Sequence, residues 1–353
     1  MKEENMETKC IYDDLESSAT ILYVEMELWE SEQLKERCPQ KCDIRTFAGP
    51  LEEIGDSPSL EDVNVLSPFI HSKCTSEQLK RLSKLEFIAT RSTGFDHIDQ
   101  DYCNEKNIYI ANVPAYGDDT VAEHAFGMLL ALTRKIHRCY ERTVRGDFNI
   151  EGLRGTDLAG KTFGTLGVGK IGAKAMRIAG GFGMNRIAFD IQKNTRLSGE
   201  LGFCYVDFDT LLTESDVLSL HVPLTEKTRH LLDAKAFEKM KSNAILINTA
   251  RGGVVDQSAL IDALKNKRIG GAALDVLEGE DAVAEEAELL SSQYDIETLR
   301  RVVQTNTLLK MDNVIITPHN AFNSEEALER IFQTTMDNIH GWMIGEPQNI
   351  VNK

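Results

Sequence analysis

The chain has 353 residues, 42% of them hydrophobic, and a formal net charge of −17. That length accommodates two domains with full cores, and the negative balance argues against nucleic acid and anionic membrane surfaces as partners. The seven cysteines are scattered without paired metal spacing and no apolar run is long enough to span a membrane, so a reduced, cytoplasmic, metal-free protein is expected.

Residues 1–18 are acidic and polar, unlike a signal or transit peptide, and read as an extension before the fold. The fold begins at Ala19 with the strand-like run ATILYVEM, followed by a short helix over 31–37. Cys38 and Cys42 frame a C-x-x-x-C that lacks a second ligand pair. A strand over Val63–Ile70, a helix over 75–84, and strands over Leu85–Thr90 and Asn107–Val113 make the first hundred residues a small α/β unit. Thr120-x-x-Glu123 reads as a capping box opening one long helix that runs until just before Gly146. Its apolar residues occupy more than one face, which suits packing against other domains or a second subunit.

The stretch 161–190 carries the strongest signal. A short apolar strand, Phe163–Leu166, leads into the glycines Gly167, Gly169 and Gly172, and a helix starts near Lys170. The first glycine permits a tight turn, the second a close approach to a pyrophosphate, and the third close packing of helix on strand. A second strand, Arg186–Phe189, ends in Asp190, where an acceptor for a ribose 2′-hydroxyl belongs. A carboxylate there repels a 2′-phosphate, so NAD is expected over NADP. Four further buried strands are expected over Asp216–His221, Ala244–Asn248, Gly271–Val276 and Val314–Thr317. Between them lies an acidic, partly helical run over 278–306, read as a solvated surface insertion. A last amphipathic helix, Glu325–Ile344, closes the chain.

Three polar residues follow predicted strand ends: Arg251, Glu280 and His319. In an open parallel sheet the carboxyl ends of strands line the ligand crevice, so residues distant in sequence can converge there. Singly, each has a bland reading as a surface or loop residue. Together they suit reduction of a 2-oxo acid. An arginine fork can hold the carboxylate and polarise the carbonyl. A histidine can supply the proton near neutral pH, and a carboxylate beside it would favour the imidazolium.

The segments RSTGFDHID, NVPAYGDDTVAEHA, GLRGTDLAGKTFGTLGVGKIG, SLHVPLTEKTRHLL, INTARGGVVD, AALDVLEGE and TPHNAF together resemble the D-specific 2-hydroxyacid dehydrogenase family, most closely its D-lactate dehydrogenase branch. The resemblance runs from about residue 19 to 350. It implies an α/β fold of two Rossmann-like or flavodoxin-like domains with parallel sheets and a cleft between them. Residues 1–116 with 318–353 would form the substrate domain, and 117–317 the NAD-binding domain. It further implies that Arg251 binds substrate and that Glu280 and His319 form the acid–base pair. Backbone contacts to the substrate carboxylate would fall at Thr93 and Gly94, with Tyr116 nearby. Cofactor contacts beyond the glycines and Asp190 would be Lys170, Ile171, Val222, Pro223, Thr228, Thr249, Ala250 and Asp275, the last holding the nicotinamide carboxamide. The implied partners are a small 2-oxo or 2-hydroxy acid and a second copy of the chain in a homodimer. Two features depart from the pattern: the N-terminal extension has no assigned role, and the stretch between Glu280 and His319 is longer than in the D-lactate branch. Two rival classes are a non-catalytic NAD sensor or corepressor on the same fold, and a methyltransferase on a doubly wound sheet. Each leaves Arg251, Glu280 and His319 without work.

Overall fold

Short aliphatic runs build two separate, wholly parallel sheets, of five and seven strands. The computed structural model describes residues 19–37, 42–55, 60–279 and 296–352. The N-terminal extension, Cys38, Glu280 and residues 281–295 of the acidic run lie outside them. The chain divides into two compact units, Met1–Tyr116 with Ser324–Lys353, and Gly117–Asn323.

In the first unit the strands are β1 (Thr20–Tyr23), β2 (Asp43–Thr46), β3 (Val65–Ser67), β4 (Phe87–Ala89) and β5 (Tyr109–Ala111), ordered β2-β1-β3-β4-β5. Successive side chains alternate between two cores, as the two-residue period of a strand requires. Leu22, Leu66, Ile88 and Ile110 enter one core; Ile21, Tyr23, Val65, Phe87 and Ala89 enter the other. The second core is covered by the helix Glu325–Met343, whose Phe332, Met336 and Ile339 are buried there. Trp342 of that helix stacks on Phe87 with ring centroids 5.3 Å apart. The chain end is tied to β5 by backbone bonds from Val351 to Ile110 and from Asn112 to Asn349. β2 is a strand that the sequence pattern did not predict. Its DIRT segment is polar, and as an edge strand it needs no apolar face.

In the second unit the strands are β6 (Thr162–Leu166), β7 (Asn185–Phe189), β8 (Cys204–Tyr205), β9 (Val217–Leu220), β10 (Ile245–Asn248), β11 (Gly271–Leu274) and β12 (Val314–Ile316). Their order is β12-β11-β10-β9-β6-β7-β8. β6 therefore has its sequence neighbour β7 on one side and β9 on the other, and the order reverses there. Both faces are covered, so the strands read as nearly continuous apolar runs. Leu218, Leu246 and Leu274 pack to one side; Val217, Ile247 and Ala273 pack to the other.

Two expectations about the helix after residue 117 are corrected. It begins at Asp118, not after a Thr120 cap, and its N-cap Gly117 offers no side chain. Asp118 and Asp119 in the first turn instead place negative charge at the positive helix end. Nor is it one helix: Asp118–Arg134 and Ile136–Val144 are separated by Lys135, which is left-handed with φ 52°. A contact from a later segment falls at the break. The Thr133 carbonyl accepts the Thr156 N–H at 3.0 Å and is drawn out of the helical ladder. The helix expected over 75–84 is likewise only Ser76–Leu79, opened by a Thr75 cap.

Candidate active and cofactor site

β6 ends on Leu166, and the chain turns from strand into helix within three residues. Gly167 makes the turn at φ 88°, and a Cβ there would lie 2.7 Å from the His221 carbonyl oxygen. Gly172 packs against the same turn, where a Cβ would lie 2.4 Å from the Gly167 carbonyl oxygen. Gly169 differs: nothing stands within 4 Å of its Cβ position. The space above it opens onto the N-terminus of the helix Lys170–Gly181, whose first N–H groups have no acceptor within the helix. Open space plus outward N–H groups fit a pyrophosphate. Lys170 lies exposed at this opening, and Ile171 behind it is half-buried against the core.

Asp190 stands just past β7. Its carboxylate accepts the Val168 N–H at 2.7 Å and the Gln192 N–H at 2.8 Å, tying the glycine turn to the strand end. A carboxylate offers about four lone-pair sites, so acceptor capacity remains for ribose hydroxyls. Ile191 beside it is 90% exposed, an apolar side chain without packing. It offers a flat contact for an adenine ring, and the sequence pattern gave no sign of it.

At the end of β9, His221 lies 2.9 Å from the Ser219 hydroxyl, and burial pushes its imidazole down to about 4, so it is neutral at physiological pH. Val222 and Pro223 follow it. The Thr228 hydroxyl donates to the Pro223 carbonyl at 2.6 Å and accepts the Thr225 N–H at 2.8 Å, closing this loop on itself.

β10 ends on Asn248, whose buried side chain brackets the next turn. Its Oδ1 accepts the Ala250 N–H and its Nδ2 donates to the Arg251 carbonyl, both at 3.0 Å. The Thr249 hydroxyl in this turn is buried and has no hydrogen-bond partner among the described residues. A buried hydroxyl without a partner is costly, and a bound cofactor would supply one. Arg251 is half-buried and donates from Nη1 to the Ala250 carbonyl at 2.8 Å. Gly252 lies directly on the segment after β11, where a Cβ would be 2.1 Å from the Leu277 carbonyl carbon. The arginine turn is thereby packed on the chain that leads to Glu280. His230 grips the same segment through Glu278, at 2.7 Å.

Asp275, just past β11, is 1% exposed. Burial alone would raise its carboxyl, but hydrogen bonds from His124, Thr317, Ala321 N–H and Asn320 N–H outweigh it and hold it below the usual carboxylate value. The N–H groups of Asn320 and Ala321 both donate at 2.9 Å, and the Asp275 carbonyl takes the His319 N–H at 2.9 Å. Asp275 thus clamps the turn bearing His319, which is itself left-handed at φ 50°. Such a conformation in a non-glycine residue costs about 1–3 kcal/mol and persists where the surroundings enforce it. Phe322 stands edge-on to the His319 ring, centroids 6.5 Å apart.

β10, β11 and β12 are adjacent and in register, with Asn248 opposite Leu274 and Leu274 opposite Ile316. Arg251, Asp275 and His319 therefore emerge from one edge of the sheet at three neighbouring strand ends. Glu280 lies outside the described residues.

In the first unit, the turn after β4 is stapled by its own polar groups. The Thr93 hydroxyl donates to Val113, Asn112 Nδ2 donates to the Thr93 carbonyl, both at 2.7 Å, and the Ser92 hydroxyl donates to the Gly94 carbonyl at 2.6 Å. Among the described residues no group accepts the backbone N–H of Thr93 or of Gly94. Two adjacent N–H groups left this way suit an anion. Arg91, buried at the start of this turn, donates to the carbonyls of Val24 and Glu25 at 2.8 and 2.9 Å and fixes it to the end of β1. Tyr116 is half-buried, and its carbonyl accepts Arg330 Nε at 2.7 Å.

Sequence reasoning missed His124, Asn248 and Arg91 as well as Ile191. A signal existed for Asn248, a polar residue closing the apolar run AILI, where a side chain that brackets the next turn belongs.

Residues 126–321 match the family model described as D-isomer specific 2-hydroxyacid dehydrogenase, NAD binding domain. D-lactate dehydrogenase of Escherichia coli (strain K12) is 44% identical over 276 residues, covering 78% of this chain and 81% of that protein. The crystal structure of a D-lactate dehydrogenase from Aquifex aeolicus complexed with NAD and lactic acid superposes with a TM-score of 0.82 at 32% identity, over 94% of this chain and 99% of that one. The apo-structure of D-lactate dehydrogenase from Escherichia coli gives 0.79 at 34% identity, over 94% and 99%.

Proposed function

The chain belongs to the D-isomer specific 2-hydroxyacid dehydrogenase family of NAD-dependent oxidoreductases, and from that premise we propose that it interconverts pyruvate and D-lactate. The observation that carries this reading is the emergence of Arg251, Asp275 and His319 from three adjacent strand ends. Bound NADH supplies the hydride. Arg251 holds the substrate carboxylate and polarises the 2-carbonyl with its planar fork. His319, protonated, gives its proton to the carbonyl oxygen as hydride reaches the carbon, and takes it back in the oxidation direction. Glu280 favours the protonated form of His319. Thr93 and Gly94 lend their free N–H groups to the carboxylate, and Tyr116 contacts the substrate.

For the cofactor, Gly167, Gly169, Lys170, Ile171 and Gly172 form the pyrophosphate cradle, and Asp190 accepts from the adenosine ribose. Val222, Pro223, Thr228, Thr249, Ala250 and Asp275 line the remainder, with Ile191 against the adenine.

Initial rates with NADH against pyruvate, 2-oxoisocaproate and phenylpyruvate test the substrate assignment. The expected result is the highest kcat/KM with pyruvate and a D-configured product. A preference for phenylpyruvate would overturn the assignment to pyruvate while leaving the reaction class intact.

We also propose a homodimer. On the helix Ile136–Val144 no residue is buried, and Ile136, Tyr140 and Val144 recur every four residues along one exposed face. Phe148 at 78% and Ile150 at 82% exposure follow that helix along the chain. Contiguous exposed apolar surface of this kind marks an interface, and a second copy is the occupant that a homo-oligomer supplies. Light scattering is expected to give twice the chain mass. Introducing Tyr140→Glu with Val144→Glu should halve it; an unchanged mass would place the interface elsewhere.

A further inference from the structure

We propose that His124 is a positioning residue for proton transfer, acting through Asp275 on the turn that carries His319. The inference rests on the acid–base reading of His319 and goes beyond it, because His124 has no part in that reading.

His124 sits on the helix Asp118–Arg134, among the buried Val121, Ala122, Ala125 and Met128. Its Nε2 lies 3.1 Å from the Thr317 hydroxyl and 3.4 Å from Asp275 Oδ1. Counting protons assigns the tautomer. Asp275, held ionised, can only accept. Thr317 has one hydroxyl hydrogen, and it points at Asp275 Oδ1. The Thr317 oxygen is then the acceptor toward His124, so Nε2 carries a hydrogen and serves Thr317 and Asp275 together. His124 and Thr317 thereby share Oδ1 of the carboxylate with the Asn320 N–H, while the Ala321 N–H holds Oδ2. The carboxylate is the common point through which the helix and the turn hold each other.

The left-handed backbone of His319 makes this matter. A turn held in an uncommon conformation relaxes when its clamp loosens. Losing the His124 donor removes its support of the Thr317 hydroxyl and one of the contacts on the buried Oδ1, and a small rotation of the carboxylate moves both N–H groups and the His319 backbone. A proton donor displaced by about 1 Å can lose on the order of 100-fold in rate. Substrate binding through Arg251 depends on a different turn, so the loss falls on kcat.

The test compares His124→Leu, which removes the donor, with His124→Gln, whose amide nitrogen can still reach Thr317. In 2-oxo acid reduction, His124→Leu is expected to lower kcat by roughly 10- to 100-fold with KM nearly unchanged. The solvent deuterium isotope effect on kcat should rise, because proton transfer becomes slower relative to the other steps. His124→Gln should recover most of the rate. NADH titration counts the competent sites, so partial unfolding cannot imitate the result. Should His124→Leu fail to fold, Thr317→Val removes the other side-chain donor to the same carboxylate and is expected to show the same kcat loss and isotope effect. Wild-type kcat and isotope effect in the folded variant overturn the proposal, as does a glutamine variant no better than leucine. His319→Gln, assayed alongside, separates the two failures. If turnover survives His319→Gln, the acid–base reading itself is wrong; if it collapses while His124→Leu is normal, only the role of His124 is wrong.

Discussion

Arg251→Lys is expected to lower kcat/KM for 2-oxo acid reduction by about 100-fold or more, roughly 3 kcal/mol of transition-state stabilisation. The substitution keeps one positive charge and loses the planar fork. A lysine ammonium is a compact, strongly hydrated point charge, so it can face the substrate carboxylate or the carbonyl oxygen, but cannot address both in parallel. Negative charge develops on the carbonyl oxygen during hydride transfer, so a donor lost there costs kcat more than KM. The turn itself should survive. Asn248 holds the backbone of Ala250 and Arg251 through its own side chain, and Gly252 is packed on Leu277. The thermal midpoint should therefore stay close to wild type, and NADH binding should be little changed. Near-normal efficiency in the folded variant would remove Arg251 from the substrate contacts.

The sequence carried most of the fold because both sheets are parallel and covered on both faces. Such strands are continuous apolar runs bounded by glycine, proline or polar turns, and β6, β9, β10 and β11 stand out for that reason. The missed edge strand β2 had no apolar face to display. The helix break at Lys135 depends on Thr156 capturing the Thr133 carbonyl, a contact between segments that no local pattern encodes. In the candidate site, the residues proposed to meet ligands were legible because they follow strand ends, as Asp190, Arg251 and His319 do. The residues that hold them were less so. His124 reaches Thr317 across nearly two hundred positions, and its position on the helix reveals only that a polar group interrupts an apolar face. Asp275 entered only through the family resemblance, and its clamp on the His319 turn needs β11 and β12 side by side.

His319→Ala is expected to abolish most turnover in both directions while leaving NADH binding largely intact. A general acid or base typically contributes 100- to 10,000-fold, about 3 to 5 kcal/mol. Removal of the imidazole also removes its edge contact with Phe322, but the turn remains held through its backbone N–H groups on Asp275. The pH profile separates the acid from the base role. Reduction needs an imidazole that carries the proton and oxidation one that lacks it, so the pH dependences of the two directions should run in opposite senses. Glu280→Gln keeps the shape and deletes the charge that, in the proposed acid–base pair, favours the imidazolium. The alkaline limb of reduction should then move to lower pH, and oxidation should extend to lower pH by the same amount. The direction follows from the sign alone: an anion paired with the ring, as proposed for Glu280, favours the proton on it, and its loss disfavours it. A limb that stays in place, or moves upward, in the folded Glu280→Gln enzyme means that Glu280 does not govern the protonation of His319.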